Sequence, residues 1–243
     1  MRIIKLSAID STNTFLRQLS STEVIEDYTV ILAESQAKGR GQMGTTWSSQ
    51  PSKNLMVSVF LDVSFLVIEN SFYISMAISL AISTSLKRFQ IKNVAIKWPN
   101  DILADQNKIS GILIENVIKT NQLQATIIGF GLNVNQTHFE DLPNATSMQM
   151  VSGKHYDLDE VLQSVLKYLK LYSEMLKTGQ LEELKTLYET ELFRKNKPST
   201  FEDAEGSLFS GFIKGVSNSG YLQVLVEDDI IKEFDLKEVK LLY

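Results

Sequence analysis

The sequence predicts an α+β fold: a mainly antiparallel sheet with helices, followed by a small all-β module. Three observations predict it. From Asn93 to Val134, apolar segments rich in β-branched residues are broken by the turn compositions "PND", "QN" and "IKTNQ". After Asp157, Leu158, Val161, Leu162, Val165, Leu166 and Leu169 recur at helical spacing. At "RKNKPSTF" the character changes, and beyond Pro198 no helical periodicity remains. Helices on one side of a mainly antiparallel sheet make an α+β domain.

In chain order, Ile3 to Leu6 reads as the first strand. "DSTNTFLRQL" reads as a helix start, with Ser11 or Asp10 placed to cap free N–H groups and Phe15, Leu16 and Leu19 forming one apolar stripe. "YTVILAES" is a strand that runs straight into a glycine-rich loop, and "NLMVSVFLDV" alternates as another strand. Glu69 to Arg88 is a long helix whose polar members are mostly small, which predicts burial on much of its surface. "NVAIKW", "DILAD", "KISGILIENV" and "LQATIIGFGLNV" are four strands. Asp157-x-x-Glu160 resembles a capping box with an acidic cap, opening one helix, and Leu181 to Phe193 makes another. "GSLFSGFIKGV", "GYLQVLV", "IIKEF" and "EVKLLY" are short strands of a barrel-like or sandwich-like module. The expected division is 1–193 and 194–243. The second unit, of about fifty residues, is marginal alone by size and is expected to dock on the first.

Composition excludes several classes of function. The chain of 243 residues has a formal charge of −5, against the basic stripe of a surface built for nucleic acid. It has no cysteine, so disulfides, thiol catalysis and cysteine-ligated zinc are out. The N-terminus lacks the pattern of a signal peptide, and the run Phe72 to Leu86 is too short to span a bilayer. A cytoplasmic protein with no membrane partner is the expectation.

Four places ask for chemistry. In "ESQAKGRGQMGTTWSS", Gly39 and Gly41 can present bare N–H groups to an anion, and Arg40 between them offers a charge-assisted grip on phosphate or carboxylate. Trp47 can stack on a ligand or close an apolar lid. The spacing fits neither a Walker loop nor the Rossmann fingerprint, and an ordinary surface loop with a packing tryptophan would read the same way. In "KWPND", Pro99 forces Trp98 to be extended and puts Asn100 and Asp101 at a turn, where capping competes with ligand reading. In "NKISGILIEN", Lys108 opens a strand as an edge charge or as a functional amine, with Gly111 leaving space beside it. In "IIGFGLNVN", Gly129, Gly131 and Asn133 share one strand face, and two bare positions there suggest a flat group against the sheet, or else a bulge. His138 and His155 lie in polar stretches without ligand-spaced partners and are expected to be solvated, with no metal held by the protein.

Taken in order, "DSTN", "ESQAKGRGQMGTTW", "NLMVSVFL", "KWPNDI", "NKISGILIE" and "GFGLNVN" closely resemble biotin–protein ligases, also called biotin–[acetyl-CoA-carboxylase] ligases. The C-terminal segment is similar to the family's small SH3-like module, so the resemblance covers nearly the whole chain. It implies a class II synthetase-like catalytic domain. It also implies a two-step reaction: biotin and ATP give biotinyl-5′-AMP, and a lysine of a biotin carboxyl carrier domain then takes the biotin. Mg²⁺ is expected with ATP. By the same resemblance Lys108, Arg40 and Asp101 are the catalytic residues, Lys108 bridging carboxylate and α-phosphate and Asp101 orienting or deprotonating the incoming amine. Ser11, Thr12, Asn13 and Gln36 match contacts to biotin's ureido head, joined on the biotin side by Gly39, Arg40, Gly41, Lys108, Gly111, Gly129 and Gly131. Arg40, Gly41, Gln42, Trp47, Asn100, Lys108 and Asn133 match the ATP and adenylate side.

Two departures stand out. Many relatives have G-R-G-R-x-G, whereas Gln42 stands at the fourth position here, which implies a weaker grip on the adenylate. No helix-turn-helix segment precedes "DSTN", so a DNA-binding repressor is not expected. The family often dimerises by joining sheet edges, so a homodimer is a further expectation. The alternatives are a lipoate or octanoate ligase or transferase of the same fold, and a non-catalytic biotin or nucleotide binder.

Overall fold

A computed structural model of the chain describes residues 1–140 and 142–243. Seven strands form the larger sheet: β1 (Arg2–Leu6), β2 (Thr29–Ala33), β3 (Leu55–Asp62), β4 (Val94–Lys97), β5 (Asp101–Ala104), β6 (Asn107–Lys119) and β7 (Gln122–Leu132). Their order is β1-β2-β3-β7-β6-β5-β4. β1 and β2 run parallel, and the remaining neighbours are antiparallel. A parallel pair needs a crossover, and α1 (Thr12–Thr22) supplies it. The mainly antiparallel α+β fold expected from the sequence is the one observed.

Side chains alternate across the sheet, and the alternation divides the core. Val30, Val57, Val59 and Ile128 face the main core, while Ile31, Ile127 and Phe60 face a small cluster around Leu16 of α1. The main core is filled by α2 (Phe72–Arg88), with α4 (Leu158–Lys177) and α5 (Leu181–Thr190) packed against it. As its small polar residues predict, α2 is buried nearly all round, Ser79, Ser83 and Ser85 included. Helices therefore lie on both faces, which corrects the one-sided arrangement expected from the sequence: the crossover α1 packs on the face opposite α2. α1 shields only part of its face, and the remainder is open for a ligand.

Caps follow the sequence. Ser11 Oγ accepts from Thr14 N at 3.5 Å, and Asp157 Oδ1 accepts from Glu160 N at 2.8 Å. Three helical features differ from expectation. A short helix, α3 (Met148–Ser152), is capped by Ser147 and ended by Gly153 at φ +73°. The helix expected to run from Leu181 to Phe193 stops at Thr190, because the chain there pairs with β4: Ile96 N donates to Glu191 O and Phe193 N to Ile96 O, both at 2.8 Å. The helix expected from Glu69 begins at Phe72, after a 3-10 turn at Ile68–Asn70.

The second sheet is antiparallel, in the order β11-β10-β9-β8-β12. It comprises β8 (Pro198–Asp203), β9 (Leu208–Val216), β10 (Leu222–Leu225), β11 (Ile231–Phe234) and β12 (Val239–Leu242). β8 was not foreseen; proline at its first residue is the place in a strand where proline is tolerated. Phe201, Phe209 and Phe234 stack through its interior at 5.3 and 5.5 Å.

The two sheets are joined by specific contacts. Trp98 Nε1 donates to Gly220 O at 2.9 Å, and Val216 N donates to Glu189 Oε1 at 3.1 Å. Phe72 packs edge-on to Tyr188 and occupies the space a side chain at Gly220 would need. Burial pushes the Tyr188 phenol up, so the ring stays neutral. Trp98→Phe removes the donor and leaves the buried Gly220 carbonyl unpaired, which should cost about 1–3 kcal/mol. A lowered urea midpoint at unchanged m-value checks this, and an unmoved midpoint would discount the contact.

Candidate active site

The open part of the α1 face holds a cavity of about 460 Å³, within the size range of small-molecule sites. Register across three strands builds its floor. Ser58, Gly129 and Leu113 stand side by side, and next to them Met56, Gly131 and Gly111. The bare positions are needed because the chain lies directly on them. A methyl at Gly131 would overlap Trp47 Cε2 and Cζ2, and one at Gly129 would overlap the Asn13 amide. The flat group expected against the glycines is, in this state, the chain's own indole.

The glycine loop is a small hairpin around the 3-10 turn Gln42–Gly44. Trp47 N donates to Gly39 O at 3.0 Å and Gly41 N to Thr45 O at 2.7 Å. Side chains at Gly39 and Gly41 would collide with Trp47 O and Thr45 Oγ1, so these glycines let the hairpin arms close. The expectation that both present bare N–H groups to an anion is corrected for Gly41, whose N–H is spent within the loop. The hairpin carries Arg40 to the cavity rim, where Nη2 meets Glu115 Oε2 at 2.7 Å.

Lys108 enters from the start of β6, beside a bulge opposite Ile102 and Leu103. Its backbone is held on both sides: its N donates to Asn144 O at 2.7 Å, and its O accepts from Thr146 N at 2.9 Å. Its Nζ lies 2.7 Å from Asp101 Oδ1, an ion pair whose angle does not make a hydrogen bond. The same Nζ lies 5.9 Å from the Trp47 ring centroid. Asn100 is committed to the scaffold, with Nδ2 donating to Ile112 O at 2.8 Å and its carbonyl accepting from Ile112 N at 2.9 Å.

A hydrogen-bonded polar wall runs from Gln36 to Asn13. Gln36 Oε1 accepts from Thr12 N at 2.8 Å and from Thr12 Oγ1 at 3.1 Å. Ser58 Oγ meets Thr12 Oγ1 at 2.8 Å and donates to Asn13 Oδ1. Asn13 Nδ2 then donates to Glu115 Oε2 at 2.9 Å.

Of the residues the sequence singled out, all line this cavity except Gly39 and Asn133. Asn133 lies outside the cavity lining, with Nδ2 donating to Thr146 O at 3.0 Å. Its expected contact with adenosine is therefore not made from the cavity wall; it braces the segment that holds Lys108. Sequence reasoning missed Ser58 and Glu115. The signals were a serine inside the apolar run "MVSVF" and an acid sharing strand parity with Gly111. His138 and His155 are exposed, and among the described residues no group of three or more His, Cys, Asp or Glu is placed to hold a metal ion.

Chemically, two cations face an apolar floor and a neutral hydrogen-bonding wall. Trp47 Nε1 is buried at the cavity without a hydrogen-bond partner. An unpaired donor beside a cavity is a group that a ligand acceptor can satisfy.

Residues 6–133 match the model of the Biotin/lipoate A/B protein ligase family. The chain belongs to this family. Among biotin/lipoate ligase relatives, a bifunctional ligase/repressor BirA of Bacillus spizizenii is 28% identical over 236 residues, covering 95% of this chain and 71% of that one. A biotin–[acetyl-CoA-carboxylase] ligase of Mycobacterium tuberculosis is 30% identical over 163 residues, 66% of this chain and 59% of that one. Of solved structures, biotin protein ligase from Aquifex aeolicus in complex with biotin and ATP superposes with a TM-score of 0.83 at 29% identity, covering 99% of this chain and 98% of that one.

Proposed function

We propose that the chain is an ATP-dependent biotin–protein ligase. The observation that carries this reading is that Arg40 and Lys108, far apart in sequence, line one cavity over a glycine floor. The family match and the biotin ligases among its relatives support it.

In this reading the head of biotin meets the wall of Ser11, Thr12, Asn13, Gln36 and Ser58, which offers the donors and acceptors a cyclic urea needs. The biotin carboxylate oxygen attacks the α-phosphorus of ATP. A new P–O bond forms, the bond to the pyrophosphate oxygen breaks, and biotinyl-5′-AMP results. The reaction brings two anions together, so positioned cations matter most. Lys108 leaves Asp101 to lie between carboxylate and phosphate, and Arg40 takes the phosphate from the rim. In the second step an acceptor lysine amine attacks the acyl carbon. The C–O bond to AMP breaks, and Asp101, freed from Lys108, receives the amine proton. Gln42, without the charge many relatives carry there, holds the adenylate by hydrogen bonding alone.

Mg²⁺ would arrive on ATP and shield its phosphates, with Asp101 the carboxylate lining the cavity that could help to hold it. The acceptor is a biotin carboxyl carrier domain, residues 1–193 are the catalytic unit and 194–243 the docked module. Among the described residues no helix is long and apolar enough to cross a membrane. A homodimer joined by sheet edges would use β1, because the segment 191–193 pairs with β4.

The family also includes lipoate ligases, and the test separates the two substrates. Purified chain with ATP and biotin should yield trapped biotinyl-5′-AMP with stoichiometric pyrophosphate. Adenylation of lipoate in place of biotin would overturn the assignment.

A further inference from the structure

Glu115 has no part in the mechanism above, yet it bonds to two residues that do. Strand alternation puts Gly111, Leu113 and Glu115 on one face of β6; the first two line the cavity, and Glu115 lies outside that lining, bonded to Arg40 and Asn13, which belong to it. Its side chain is only 14% exposed. A carboxylate beside a site for anions opposes their binding by simple repulsion. Here it is engaged on both oxygens: Oε1 meets Arg17 Nη1 at 3.1 Å, while Oε2 meets both Arg40 Nη2 at 2.7 Å and Asn13 Nδ2 at 2.9 Å.

The shared oxygen is the decisive detail. Asn13 belongs to the wall that meets the biotin head, and Arg40 to the hairpin that meets phosphate. One carboxylate oxygen serves both, so neither can settle independently of the other. Asn13 is also fixed by Ser58, and Ser58 by Thr12 and through it Gln36. The chain Gln36–Thr12–Ser58–Asn13–Glu115–Arg40 thus links the polar wall to the hairpin without a break.

We propose that Glu115 is a positioning residue that couples the biotin-head wall to Arg40, so that bound biotin raises the affinity for ATP. A ligand that fixes the Asn13 amide fixes Glu115, and Glu115 then holds Arg40 at the rim, where the phosphate arrives. The proposal rests on the biotin-ligase reading.

Calorimetric titration of the full chain with biotin, and with a non-hydrolysable ATP analogue in the presence and absence of biotin, tests it. In the native chain biotin should tighten analogue binding at least about fivefold, a typical coupling between sites. Glu115→Gln keeps an acceptor for Asn13 but loses the charge that holds Arg40. It should bring that ratio to about one while changing biotin affinity less than about threefold. Arg17→Ala, which removes the other partner of Glu115, should leave the ratio intact. A merely structural role would not produce this split. In an Arg40→Ala background, Glu115→Gln should add nothing further. Should Glu115→Gln fail to fold, Arg40→Ala alone must still lose the coupling while binding biotin. A native chain without coupling, a Glu115→Gln variant that couples like the native one, or an additive effect in the Arg40→Ala background would each overturn the inference. Failure of the native chain to bind biotin at all would instead sink the ligase reading.

Discussion

Lys108→Ala is expected to slow pyrophosphate release from ATP and biotin by about 10²–10³-fold or more, while biotin binding remains measurable. The amine is the cation that the fold fixes most firmly. Its backbone is bonded on both sides to the 144–146 segment, and its side chain is aimed by Asp101. A cation whose backbone is already fixed has only its side chain to move off Asp101 when carboxylate and phosphate approach, which limits reorganisation where electrostatic catalysis gains most. Truncation does more than delete the charge. It also leaves Asp101, whose side chain is 18% exposed, unpaired beside two arriving anions, so the loss should lie at or beyond the upper end of the range.

The polar wall of Thr12, Asn13, Gln36 and Ser58 makes no direct bond to Lys108 among the described residues, so affinity for biotin should change far less than turnover. Single-turnover pyrophosphate release, set beside calorimetric biotin binding, separates the two quantities. Native-like release from the alanine variant would remove Lys108 from the role assigned to it.

What the sequence made legible was whatever is periodic or local. Alternation and turn chemistry located the strands of the larger sheet, and the caps at Ser11 and Asp157 follow from rules that act within one turn of helix. Chemistry between elements was harder to see. Parity along β6 shows that Glu115 shares a face with Gly111, but not that Arg40, Arg17 and Asn13 converge on it, because those residues come from a hairpin and a helix. Ser58 gains its meaning from register, which sets it opposite Gly129. Gly39 and Gly41 looked like anion donors because glycine permits that use, whereas here they let two backbone arms approach. The early end of α5 has the same kind of cause, a bridge to β4 that helical periodicity cannot reveal.

Gly131→Ala is expected to lower adenylate formation by about a hundredfold while leaving the fold intact. The backbone of β7 at this position is ordinary strand, and alanine loses less conformational entropy there than glycine does. The added methyl nevertheless falls inside the Trp47 indole, so the ring has to leave the floor. Where the ring moves together with its backbone, the hairpin moves with it, because the Trp47 amide is bonded to Gly39 O and Arg40 bridges to Thr46. Displacing the tryptophan therefore shifts the arginine, and a displacement of about 1 Å in a positioning group is enough for a loss of this size. The chain has two tryptophans, and Trp98 is buried at 9% exposure. Acrylamide quenching of the intrinsic fluorescence thus reports chiefly on Trp47. Increased quenching together with slowed pyrophosphate release, at an unfolding midpoint near that of the native chain, is the expected result. A Gly131→Ala variant with native turnover and native quenching would show that the indole does not need the bare floor, and that the hairpin and Arg40 are placed by other means.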